Sequence, residues 1–371
     1  GTQSIRAVLF DIEGNELAIE QRAFDPYFSH RPGWAEQSTE DYWTKLCIVT
    51  GGLMNKITID KTAITAVGIT TQRGTVIPMD RDGNALRPAI IWLDQRSVEN
   101  PPPLGVLGTA LFGTAGMLSA IKYAQKHSIF LWIRLNEPQI YAKTHKFVQA
   151  SGFFVRKLTG EFHDSVGMVT GIWPFEYNKL RWHPLGVAYP PLGIEKDHCV
   201  RLFRPDEVLG RITKKASEET GLPEGLPVVV GAGDKQSELL GAGAIEQSIA
   251  EISFGTATAM HILTKKYIKD GALRFFTWPS AIPNAWDIEM FIHRGFWMVT
   301  WFKQEFGMRE ALEAQKRGVA PEVIFDEVIR TIPPGSMGLV LQPYWSPMVY
   351  SKFAKGSIIG FGDVHTRAHI Y

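Results

Sequence analysis

The chain of 371 residues is 45% hydrophobic, 21% charged and 11% aromatic, and 39 Lys plus Arg against 38 Asp plus Glu leave a formal charge of +1. That is ordinary globular composition. It offers no basic footprint for a phosphate backbone, so no nucleic-acid partner is expected, and two cysteines, Cys47 and Cys199, are too few for a disulfide scaffold or a thiolate zinc site, which suits a reducing cytosol.

The opening stretch, Gly1 to Phe10, lacks the basic flank and cleavage pattern of a signal peptide. "IRAVLFDIEGNELAIEQRAF" reads as a hairpin turning at Glu13-Gly14-Asn15. A helix is predicted from Thr39 to Met54, capped by Ser38 or Thr39, with Gly51 and Gly52 marking its fraying or stop. Ala63 to Gln72 is β-branched and reads as a buried strand, with Thr75 to Met79 and a turn at Asp82-Gly83 after it. The uncharged run from Pro101 to Ile121 is broken by four glycines, and a buried helix or packed loop is expected there rather than a membrane span.

From Trp132 to Gly160 the pattern is helical, broken at Pro138, and Trp173 to Pro191 is loop-like. Ala216 to Thr220 reads as a helix end with Gly221 as left-handed cap, and Leu226 to Val230 as a strand entering a glycine turn. A lobe boundary is placed near Leu222. Further on come a helix (Lys235 to Gly243), a strand–turn–strand in "EISFGTATAMHIL", and helices near Val299 to Phe306 and Pro321 to Thr331. Both lobes are therefore read as α/β.

Several signatures are missing from the sequence. No Gly-Lys dipeptide occurs, which removes a P-loop, and the Gly-x-Gly pairs at 231, 241 and 360 lack the third glycine of a dinucleotide fingerprint. The informative segment is "GAGDKQSE", Gly231 to Glu238. A carboxylate after a strand and a glycine turn, at the mouth of a helix, sits where open α/β sheets bind ligands. Taken alone, Asp234 reads as a helix N-cap or as a catalyst.

"GTQSIRAVLFD", "PGWAEQSTEDYW", "GITTQRG", "IWLDQR", "GAGDKQSELLGAG", "SFGTATAM" and the closing "GSIIGFGDVHTRAHIY" follow one another in an order and spacing that resembles the FGGY carbohydrate kinases. The resemblance implies a two-lobed, actin-like (ribonuclease H-like) α/β ATPase fold, with residues 1–222 as the sugar-binding lobe and 223–371 as the catalytic one. It implies a sugar deep in an interlobe cleft with MgATP above it, in a cytoplasmic enzyme with a small sugar or polyol as partner, no membrane, and a homodimer admissible.

By the same resemblance, Gly1, Thr2, Gln3, Ser4 and Arg6 form a first phosphate turn, and Gly255 and Thr256 a second. Asp234 is the general base and touches Mg²⁺ indirectly, through water. Gln72 and Arg73 face the sugar, and Trp92 and Asp94 line its pocket. For Trp92 a core position remains an alternative, and for Asp94 a pairing with Arg96 or a turn cap. The family's first motif carries an Asp two residues before its Gly-Thr, and its members run on beyond the last motif by on the order of a hundred residues. An incomplete second lobe and weak nucleotide binding by residues 1–371 are therefore expected. Gly74 stands where glycerol kinases have Glu, and the Met-His pair of xylulokinases is absent, so no single sugar is indicated. The reading is an ATP-dependent kinase of a sugar or polyol hydroxyl; the alternative is a non-catalytic relative that binds sugar or nucleotide as a sensor.

Overall fold

The computed structural model describes residues 1–371 apart from 115, 256, 272–273, 293 and 346–353, and apart from the side chain of residue 107. The described residues fall into two units. One holds Gly1–Ile245 with Lys265–Tyr267 and Trp278–Trp286, the other Glu246–Thr264, Ile268–Thr277 and Asp287–Tyr371.

The first unit opens with the expected hairpin, Ser4–Phe10 antiparallel to Glu16–Ala23. Its turn is closed by the Asp11 carboxylate, which accepts from the Asn15 backbone and side-chain amides at 2.8 Å each, while Gly14 supplies a φ of 87°. The helix Thr39–Lys56 begins at Ser38, whose side chain accepts from Asp41 N. It does not stop at the paired glycines. A Cβ on Gly52 would lie 3.1 Å from Glu20 Cγ, so the glycine lets the helix settle closely on the hairpin. Leu53 and Met54 beyond it are buried, at about 1.5–3 kcal/mol each, which outweighs a helical glycine's roughly 1 kcal/mol cost.

The strand predicted from Ala63 starts later, at Val67. Lys61–Ala63 is a 3-10 turn capped by the Asp60 side chain, and Val67–Thr71 is the strand. It runs parallel to Pro227–Gly233, which is antiparallel on its other edge to Val208–Arg211. This pairing places the Pro227–Gly233 strand and the following helix, Asp234–Gly241, in the first unit. The core of this layer gathers Tyr42, Leu46 and Leu53 from the long helix, Phe153, Phe154 and Leu158 from Ala150–Thr159, and Val228 and Val230 from the sheet. Among the described residues, the hairpin and the three-stranded sheet are not hydrogen-bonded to each other. Between them lies a cavity of about 870 Å³, lined mainly by apolar side chains such as Ile5, Leu9, Leu53 and Ile69.

A second core cluster explains the aromatic, proline-rich segment near Trp173 to Pro191. Trp173, Phe175 and Tyr189 pack with Phe130, Trp132 and Phe147, and short strands and 3-10 turns replace the expected loop. The uncharged run after Pro101 forms the helix Gly105–Thr114, followed by Leu118–His127. Among the described residues no helix is long and apolar enough to cross a membrane.

The second unit carries a four-stranded sheet in the order Ala250–Phe254, Thr258–Thr264, Trp286–Ile292, Phe276–Pro279. Three helices follow: Trp297–Phe306, Met308–Arg317 and Pro321–Ile329. Phe302 meets Phe325 between the first and third, with ring centroids 5.4 Å apart. The middle helix had no counterpart in the sequence reading, because its charged face leaves only a narrow apolar stripe.

Candidate active site

Register brings two distant residues together. Gly233 pairs with Thr71 across the parallel strands, so Asp234 and Arg73 leave the same carboxyl edge, the position at which α/β sheets place ligands. Arg73 Nε lies 3.7 Å from Asp234 Oδ1. Glycine at 233 leaves room for Arg73, since a Cβ there would come within 2.3 Å of Arg73 Cγ and force that side chain aside. Thr70 reinforces the register by donating to Ala232 O at 3.0 Å, and Ser237 Oγ reaches Thr70 Oγ1 at 3.1 Å, tying the helix to the neighbouring strand.

Asp234 is not the N-cap of its helix. The cap is Gly233, without a side-chain bond, and Asp234 is the first helical residue. Its Oδ1 accepts from the adjacent Lys235 amide at 3.0 Å, and the side chain is 41% exposed. The carboxylate therefore sits at the positive end of the helix dipole, where negative charge is favoured, and stays open to solvent.

The Gly1–Ser4 turn joins the Gln72 region through hydrogen bonds. Thr2 Oγ1 donates to Gln72 Oε1 at 2.6 Å and accepts from Trp92 Nε1 at 2.9 Å. Gln37 Nε2 donates to Thr2 O at 2.8 Å, Tyr42 OH donates to Gln37 Oε1 at 2.7 Å, and Gln72 Nε2 donates to Tyr42 OH at 3.1 Å. Gln72 is buried and Trp92 is 54% exposed, so Trp92 is not a core residue. Gln3 and Arg6 are exposed, and Ser4 Oγ accepts from Gln21 at 3.0 Å. Gln37 and Tyr42 were not singled out from the sequence, because nothing local marks a glutamine before a helix or a tyrosine in it.

Asp94 has the pairing that the sequence allowed as an alternative. Its Oδ1 accepts from Arg96 N and Nε at 2.9 and 2.8 Å, and its Oδ2 from Ala35 N and Arg96 Nη2 at 2.7 Å each. Arg96 is sandwiched by Trp34 and Trp132, 4.1 and 4.6 Å from their ring centroids, and also reaches Glu36, which Arg87 binds as well. Burial opposes the Arg96 cation, yet the hydrogen bonds it donates to Asp94 and Glu36, with their negative charge, outweigh it and hold its pKa above the ordinary value. Asp94 thus anchors the Pro32-Gly33-Trp34 segment to the loop that carries Trp92.

In the second unit, Gly255 N donates to Ala257 O at 3.0 Å and Gly255 O accepts from Phe296 N at 2.8 Å, a tight turn between two strands. Thr256 lies outside the described residues. The mainly apolar cavity described above reaches Gln72 and Tyr42 on one side but touches neither Arg73, Asp234 nor Trp92.

Among the described residues no three His, Cys, Asp or Glu side chains cluster to hold a metal. One open carboxylate does fit Mg²⁺, which is commonly held by one or two carboxylates, with water and substrate phosphates supplying the rest.

Residues 1–241 match the FGGY family of carbohydrate kinases, N-terminal domain. An uncharacterized sugar kinase of Escherichia coli K12, YgcE, is 28% identical over 374 residues, covering all of this chain and 68% of its own length. The glycerol kinase of Thermococcus kodakarensis is 27% identical over 385 residues, with 72% of its length covered. In structure, the xylulose kinase of Rhodospirillum rubrum superposes with a TM-score of 0.80 at 23% identity, over the whole of this chain and 73% of that one. That likeness shows the fold, the two-lobed actin-like α/β ATPase fold expected from the motifs. Because the family match covers well over half of the chain, strand, turn and helix included, the protein belongs to the FGGY family of carbohydrate kinases.

Proposed function

We propose that the protein transfers the γ-phosphoryl group of ATP to a hydroxyl of a small sugar or polyol, with Asp234 as general base. The observation that carries this reading is the open Asp234 carboxylate at the carboxyl edge of two parallel strands, beside Arg73 and free of any capping duty. The acceptor hydroxyl gives its proton to Asp234 as its oxygen bonds to the γ-phosphorus, and the bond to the ADP oxygen breaks. Arg73 stands beside the carboxylate, 3.7 Å from it, and brings a cation to the spot where the acceptor oxygen is placed. Trp92 offers an exposed ring face on which the carbon edge of a sugar can rest.

The backbone of the Gly1–Ser4 turn and that of Gly255–Thr256 are assigned to ATP phosphates, which glycine turns bind through main-chain N–H groups. Mg²⁺ in the complex would neutralise charge on the β- and γ-phosphates, with Asp234 as its water-mediated contact. The sequence division at Leu222, with sugar recognition before it and the base after it, belongs to the same reading, as does a cytoplasmic location, which suits two free thiols. Release of ADP by the protein with a panel of ketoses and polyols tests the proposal. Turnover with at least one acceptor, abolished by Asp234→Asn, is expected. Sugar binding without ADP release would mark a sensor instead.

A further inference from the structure

The hydrogen bonds around Thr2 end on two groups that have no choice of role. The Thr2 carbonyl can only accept and the Trp92 indole N–H can only donate. Because Thr2 O accepts a hydrogen bond from Gln37 Nε2, Gln37 must turn Oε1 toward Tyr42, so the Tyr42 hydroxyl donates to it. The Tyr42 oxygen is left as an acceptor, and Gln72 Nε2 fills it. The Gln72 amide is thereby set with Oε1 toward Thr2, whose hydroxyl donates there and accepts the Trp92 N–H. Each link follows from the one before, and the ring closes on Thr2 through both its carbonyl and its hydroxyl.

The ring is held from behind by packing. Gln37, Tyr42 and Gln72 are buried, and the Tyr42 ring lies 5.1 Å from Phe24, 6.4 Å from Phe153 and 6.2 Å from Phe154. Burial, chiefly, raises the Tyr42 hydroxyl above its ordinary pKa, so the proton it donates to Gln37 is retained. A buried and fully directed network of this kind admits one arrangement, and losing any member leaves its neighbours without partners.

We infer that Tyr42 and Gln37 are positioning residues for the kinase: through one buried ring they hold the phosphate turn at Thr2 in register with Gln72 and Trp92 on the acceptor side. The inference rests on the function proposed above. Neither residue needs to touch a substrate; Tyr42 acts through Gln72 and Gln37 through the Thr2 carbonyl. A ring that served stability alone would leave substrate affinities untouched when opened, whereas a positioning ring couples the two substrates.

The test uses the ¹⁵N-labelled indole spectrum of the protein, in which the Trp92 Nε1–H resonance is identified by its loss in Trp92→Phe. Tyr42→Phe keeps the aromatic packing and removes only the hydroxyl; it should move the Trp92 resonance upfield although the two side chains are separated by Gln72 and Thr2. In steady-state kinetics the same variant should raise the KM for ATP and for the acceptor together, each about 3- to 10-fold, the scale of one lost hydrogen bond. Gln37→Met, which opens the ring outside the aromatic cluster, should do the same and carries the test should Tyr42→Phe fail to fold. An unmoved Trp92 resonance in a folded variant, or both KM values within twofold of wild type, overturns the inference. A resonance that moves in a protein whose wild type releases no ADP with any acceptor upholds the ring and sinks the kinase reading with its kinetic consequence.

Discussion

Asp234 Oδ1 and Arg73 Nε stand 3.7 Å apart because Gly233 and Thr71 are paired in adjacent parallel strands. One residue past the first and two past the second, both chains have left the sheet at its carboxyl edge. An acid and a cation from remote parts of the sequence thus share a partly exposed spot where a hydroxyl can be bound and deprotonated.

Among the described residues, the Asp234 carboxylate accepts one hydrogen bond, from its neighbour's amide. Asp234→Asn should therefore leave circular dichroism and melting temperature nearly unchanged while turnover falls on the order of 10²- to 10⁴-fold, the usual contribution of a general base. Wild-type turnover in this variant would return Asp234 to a helix-end residue.

Arg73→Ala should raise the KM for the acceptor well above any change in the KM for ATP, since Arg73 stands beside the base rather than in the phosphate turn. Gly233→Ala should imitate it, because the new Cβ falls on the Arg73 side chain. Gln72→Ala should raise the acceptor KM too, and the partners it leaves, buried Tyr42 and half-buried Thr2, add a loss of stability of about 1–3 kcal/mol. Comparison of the two KM values for each variant checks this; equal shifts with Arg73→Ala would remove that residue from the acceptor site.

Arg96→Met should be far more harmful to stability than to specificity. It takes the cationic partner from buried Asp94 and leaves Glu36 with Arg87 alone, in a site closed by Trp34 and Trp132, and breaking a buried pair on one side costs about 3–5 kcal/mol. Urea unfolding of the variant measures it, and a loss below about 1 kcal/mol would contradict the network drawn here.

Asp164 gives the protein a pH-dependent stability of unusual sign. The side chain is buried, with Ser151 Oγ donating to Oδ2 at 2.9 Å and Ser165 N to Oδ1 at 2.8 Å, and desolvation pushes its pKa up from 3.8 to about 7 despite these bonds. Between those values the folded state holds a proton that the unfolded chain has released. Stability from this group is therefore present at low pH and lost as pH rises from about 4 to about 7, by at most about 1.4 kcal/mol per pH unit. Asp164→Asn should remove that slope. Denaturant titrations of both proteins at several pH values between 4 and 8 would show it, and parallel curves for the two would refute the assignment.

What the sequence determined by itself is local, or carried by motif order. The hairpin at Ser4–Phe10 and Glu16–Ala23, the Ser38 cap and the left-handed Gly221 cap with φ 73° all depend on neighbours within a few residues. The ordered glycine, Asp and Trp motifs sufficed for the family, and "GAGD" for a carboxylate at a strand–helix junction. Partner choice was not legible, because it depends on which distant segments pack together. Asp94 could cap, pair or bind until Trp34 and Trp132 closed around Arg96. The helix beginning at Thr39 could stop at its glycines until Glu20 offered a surface on which Gly52 packs closely. Tyr42 and Gln37 bore no local mark, since their hydrogen-bond roles are assigned by Thr2 and Gln72, which reach them only after the sheet, the hairpin and the long helix have come together.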